Sequence, residues 1–86
     1  MDEISGILSA EIVAKGTISE GPEYYIEPVD DYAKRWSKIL VRKQVMLWQN
    51  DPVLHKLIGK KILILGEVIE TKSTITVDYE FVEKLE

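Results

Sequence analysis

The residues of this 86-residue chain best placed to do chemistry are its cations. Between residues 34 and 61, Lys34, Arg35, Lys38, Arg42, Lys43, Lys56, Lys60 and Lys61 stand against one acid, Asp51, for a net charge of +7. The remaining residues carry three cations and fourteen acids, a net −11, so the overall −4 conceals a strong charge separation. A separation of that kind is a dipole, and it can hold an anionic ligand even on an acidic protein. Lys34, Lys38 and Arg42 recur every fourth residue. They share one side of a strand, and on a helix they drift by only about 40° per step. Tyr25, Trp36 and Tyr32 supply rings of the kind on which single-strand binders stack bases beside a basic groove. The expected nucleic-acid-binding set is therefore Lys34, Arg35, Trp36, Lys38, Arg42, Lys43 and Tyr25. A plainer reading competes with it: the cations solvate one face and pair with the acidic remainder, while the rings fill the core.

Other chemistry finds little support. His55 is the only histidine, and with no cysteine in the chain it reads as a solvent-facing side chain rather than a metal ligand or base. Asp30 and Asp31 are adjacent, but neighbouring side chains diverge in extended chain and Asp is a common turn residue. The serines lack a nucleophile-elbow setting, and the five glycines form no phosphate-binding loop. No enzyme constellation, cofactor site or metal site is expected.

Stepping from side chains to what must hold them, 86 residues fit one domain with a thin core, burying only about 60–65% of the unfolded surface. Hydrophobic residues make up 45% of the chain, which favours a folded body over disorder. No run reaches the roughly 18 apolar residues of a membrane helix, and Met1-Asp2-Glu3-Ile4 lacks the basic flank of a signal peptide. A cytoplasmic setting is the expectation. Abundant Ile, Glu and Lys, with one Asn and two Gln, resemble thermophile composition.

Residues 1–8 read as a frayed or packed N-terminal arm. Residues 10–19 read as a strand containing Gly16, Glu20-Gly21-Pro22-Glu23 as a turn, and 24–29 as a second strand ending near Pro28. Residues 36–43 suit a third strand, with a longer helix around 31–48 as the alternative. Asp51 as cap, Pro52 as first residue and Gly59 as terminator frame a short helix with Val53, Leu54, Leu57 and Ile58 on its apolar face. Residues 61–69 form a strand apolar on both sides, with Ile62 and Ile64 on one and Leu63, Leu65 and Ile69 on the other. In the last strand Ile75, Val77, Tyr79 and Phe81 alternate with polar residues and face the core.

The order strand, strand, strand, short helix, strand, strand, with Gly16 and Gly66 placed mid-strand where a small barrel must coil, resembles the OB-fold superfamily over about residues 10–82. The fold class expected is all-β: a five-stranded OB-type barrel with one short helix between strands three and four. The resemblance implies oligonucleotide or oligosaccharide binding on strands two and three, between loops near Ser19–Glu23 and Glu70–Thr74. Two functions follow as expectations. The first is weak binding of single-stranded DNA or RNA through the basic segment 34–61. The second is a protein-interaction or assembly subunit, a homodimer included, that uses the second apolar side of strand 61–69.

Overall fold

A computed structural model describes residues 2–13, 16, 21–42 and 52–85, with the backbone alone at residues 12, 13 and 21. Five strands close into a barrel: β1 (Asp2–Val13), β2 (Gly21–Pro28), β3 (Ile39–Arg42), β4 (Lys61–Glu70) and β5 (Ile75–Lys84). Their order around the barrel is β1-β2-β3-β5-β4. β3 and β5 run parallel, and every other pairing is antiparallel. A 3-10 turn (Asp31–Lys34) links β2 to β3, and the short helix α1 (Pro52–His55) lies between β3 and β4. The expected all-β barrel with its small helix is therefore the fold.

The interior is an aliphatic stack. Ile4 and Leu8 of β1, Ile26 of β2, Ile39 and Val41 of β3, Ile62 and Ile64 of β4 and Val77 of β5 are fully or almost fully buried, with Tyr24, Ile75 and Tyr79 beside them. Each strand sends alternate residues inward, as the pleat requires. Leu54 of α1 closes one end of this core and Leu57 packs against it.

The residues read as an arm are the first half of β1. Ile4 pairs with Ile64 of β4, and Leu8 pairs with Ile26 of β2, so β1 serves both halves of the barrel. The handover falls at Gly6, which is in register with Ile62 on one side and Pro28 on the other. A Cβ on Gly6 would be driven into the Glu27 carbonyl. That close approach is what a bare backbone permits at a tight barrel bend. Gly16, expected mid-strand, instead occupies a turn at φ 84°, beyond the end of β1. Gly21, Pro22 and Glu23, read as a turn, already belong to β2, because β1 runs on to Val13 and pairs with them.

Gly66 fulfils its mid-strand role. A Cβ there would meet the Asp78 carbonyl, and the β4–β5 register shifts between Leu65 and Gly66. Leu65 opposes Phe81 while Gly66 opposes Tyr79, so Glu80 is an extra, bulged residue on β5. One extra residue reverses the alternation beyond it. Val82 therefore turns to the core and Phe81, expected inside, points out at 50% exposure.

Residues 39–42 form the strand of the 31–48 region, and residues 31–34 only a 3-10 turn; the longer helix is not present over 31–42. The Asp30 side chain fixes that turn. Its carboxylate accepts the Tyr32 N–H at 3.1 Å and, from the neighbouring strand β1, the Ser5 N–H at 2.9 Å. α1 is one turn, followed by turn residues 56–59 and Gly59 at φ 82°. Its buried contact comes from Leu54 with half-buried Leu57, whereas Val53 and Ile58 are exposed, because the chain tightens after His55 through a Leu57 N–H to Leu54 carbonyl bond of 2.9 Å. The Asp51 cap lies outside the described residues.

Candidate binding surfaces

The first surface is the outer side of β2 and β3. Tyr25 is opposite Leu40 across that pair, and Leu40 is opposite Thr76 of β5. Lys38 and Arg42 flank Leu40 on the outward side, since Ile39 and Val41 point in. A shallow depression of about 400 Å³ lies here, lined by Tyr25, Trp36, Lys38, Leu40 and residues 73–76. Three of the expected site residues thus meet. Lys34, Arg35 and Arg42 lie apart from the depression lining, Lys34 on the preceding 3-10 turn rather than on the strand. Lys43 falls outside the described residues.

The electrostatics of this surface are those of matched charges. Lys34 faces Asp31 at 3.8 Å, Arg35 faces Glu70 at 3.2 Å, Lys38 faces Glu11 at 2.5 Å and Arg42 faces Asp78 at 3.1 Å. The rings are engaged as well. The Lys38 ammonium sits 4.3 Å from the Tyr25 ring centroid, and the Tyr25 hydroxyl donates to Glu23 at 2.6 Å. That hydrogen bond to a carboxylate, with burial adding to it, pushes the Tyr25 phenol up to about 12. The Trp36 indole N–H donates to Glu70 at 2.6 Å, and the Arg35 guanidinium forks onto the same carboxylate at 3.2 and 3.3 Å. Both donors favour the ionised carboxylate, the indole most, and hold Glu70 below the usual range. The acidic partners Glu11, Glu23 and Glu70 escaped sequence reasoning because they come from β1, β2 and β4, far from the cations in the chain.

The second surface is the outer wall of β5, β4 and β1. In register across it run Phe81, Leu65 and Glu3, then Glu83, Leu63 and Ser5. The next row holds Lys61 beside Ile7, with the Leu85 N–H bonded to the Lys61 carbonyl at 2.9 Å. Phe81, Leu65 and Leu63 therefore form an apolar strip, with Leu85 and Ile7 on either side of Lys61 beyond it. Phe81 is 50% and Leu85 42% exposed, and the other three are half-buried. Among the described residues, Ile4 and Leu8 enter the core and α1 closes the end of the barrel, so neither lies over this side of strand 61–69. Leu63, Leu65 and Ile69 do share a side, as their spacing implies, but Phe81 joins them only because of the bulge. No sequence signal marks a bulge when the polar–apolar alternation continues through it.

His55 is exposed on α1, with its Nδ1 3.4 Å from the Tyr24 hydroxyl. Among the described residues no three His, Asp or Glu side chains converge as metal ligands, and no helix is long and apolar enough to cross a membrane. No protein-family model matches the chain, and neither a curated protein nor a solved structure matches it.

Proposed function

We propose that this chain is a non-catalytic protein-interaction module, an OB-like barrel that takes a partner on the outer wall of β5, β4 and β1. The observation that carries the reading is the Phe81–Leu65 pair, continued by Leu63, on a wall that no described element packs over. Contiguous apolar patches on small proteins mark contact surfaces, and aromatic side chains dominate their energetics. The OB-like assignment is supported by the closed five-strand order and by the glycines at Gly6 and Gly66.

The test places a photo-crosslinking amino acid at position 81, and separately at position 72, in cells that make the protein natively. A discrete protein adduct from position 81, absent from position 72, is the expected result. Identical crosslinking from both positions, or none, overturns the reading.

The depression at Tyr25, Trp36 and Lys38 favours a second reading, single-stranded nucleic acid stacked on the β2–β3 face. Lys38 in the depression, and Lys34, Arg35 and Arg42 apart from its lining, would each have to exchange a carboxylate for a phosphate, and exposed pairs hold by only about 0–1 kcal/mol. Two or three such contacts give a salt slope of about −1.4 to −2. Titration of short single-stranded DNA and RNA at about 20–50 mM salt, where screening is weak, decides it. Binding lost in Lys38→Ser with Arg42→Ser would establish this function, and no binding would remove it.

A further inference from the structure

Two groups stand out among the described carboxylates. On the β2–β3 side Glu11, Asp31, Glu70 and Asp78 are each matched by a cation. Around the apolar strip, Glu3 flanks Leu65, Glu83 flanks Leu63 and Glu27 is in register with Ile7. Glu67 and Glu80 border a shared depression with Asp2 and Val68 just beyond Leu65. Among the described residues none of these five glutamates forms an ion pair with a lysine or arginine, although Lys61 stands on the same wall, opposite Ile7. An apolar strip is thus rimmed by unmatched negative charge.

Resting on the protein-interaction reading, we infer that the occupant of this wall is a segment of another protein whose apolar residues are flanked by lysine or arginine. Apolar side chains of the segment cover Phe81, Leu65 and Leu63, and its cations meet Glu3, Glu67, Glu80 and Glu83. Complementary rims of this kind set partner choice and speed encounter more than they add affinity. The same rim disfavours the other occupants. In a two-fold contact between copies, five glutamates on each wall would meet one lysine, Lys61, so most of the rim would stay unmatched. An anionic membrane leaflet would be repelled as well.

The experiment uses the full chain and two fluorescent peptides. One places Leu at i, i+3, i+4 and i+7 with Lys at the flanking positions; the other replaces each Lys by Glu. The lysine peptide should bind at least about tenfold more tightly, and its affinity should fall as salt rises and the Debye length shrinks. Phe81→Ser, at an exposed position, should weaken it by at least about tenfold without lowering the melting temperature. Glu3→Gln with Glu67→Gln and Glu83→Gln should abolish the preference between peptides, while Asp31→Asn on the opposite side should change nothing.

Equal affinity for both peptides, with both weakened by Phe81→Ser, overturns the cationic partner and leaves the interaction reading standing. Indifference of both peptides to Phe81→Ser, or binding of neither, overturns the inference and removes the wall as an interface. A concentration-dependent dimer that Phe81→Ser converts to monomer makes a second copy the occupant, and also overturns it.

Discussion

Glu70 accepts from two donors that arrive from the same loop, the Trp36 indole and the Arg35 guanidinium, and so pins the segment before β3 to the end of β4. The linkage sign follows from its lowered folded pKa. The ionised clamp is fully present above the unfolded value of 4.5 and is lost as pH falls below 4.5 through the lower folded value. In a Trp48→Phe background, Trp36 emission should shift in that acid window, and Glu70→Gln should remove the pH dependence. An acid transition that is unaltered in Glu70→Gln would assign it elsewhere. Tyr25 gives the opposite limb. Its phenol is neutral in both states below 10, and folding holds it neutral up to about 12, so stability is lost as pH rises between these values. Tyr25→Phe should flatten the stability profile over that range, as read from urea midpoints at successive pH values.

At the scale of elements, backbone proximity decides the strands' paths. Gly6 sits where β1 passes from β4 to β2, and a Cβ there would strike the Glu27 carbonyl and Pro28 backbone. Gly59, at φ 82°, has open space around the same position. Gly59→Ala should therefore cost only the left-handed penalty of about 1–2 kcal/mol, whereas Gly6→Ala must displace a paired strand and should cost more. Equal denaturation midpoints for the two variants would refute the bend at Gly6. The contrast also shows what was legible in the sequence. Ile62 and Ile64, and Ile75, Val77 and Tyr79, declare their inward face by period two, and Pro52 and Gly59 frame the helical turn. β1 begins earlier in the chain than its pattern suggests, because Ile4, Gly6 and Leu8 carry the inward alternation while Ile7 beside Leu8 blurs it. The phase of Phe81 depends on a bulge created by pairing with Gly66, a relation between distant residues. The charge pairs of the β2–β3 surface are likewise long-range: Lys38 with Glu11 and Arg42 with Asp78 become neighbours only once the barrel closes.

For the whole molecule, closure depends on the short strand β3, which joins β2 on one side and β5 on the other. Among the described residues β3 and β5 meet in parallel over Leu40–Thr76, Val41–Val77 and Arg42–Asp78. Parallel pairing is slightly weaker per residue than antiparallel pairing, so this seam relies on its side chains. Inside, Val41 and Val77 are both buried. Outside, the Arg42 guanidinium donates to Asp78 at 3.1 Å across the same register. The two faces of the seam contribute unequally. Asp78→Val removes a partly exposed pair, which costs at most about 1 kcal/mol. Val77→Asp puts a carboxylate among Val41, Ile39 and Ile64, where an unpaired charge costs several kcal/mol and the group protonates instead. Because a small domain has only about 5–15 kcal/mol of stability in total, Val77→Asp should open the barrel, seen as loss of near-ultraviolet ellipticity and cooperative melting at neutral pH. Lowering the pH below the carboxylate range should restore part of it, since a protonated Asp carries no charge to bury. Asp78→Val should melt within a few degrees of the parent chain. Equal melting of the two variants would mean that Val77 does not face the interior and that the barrel is not closed at this seam.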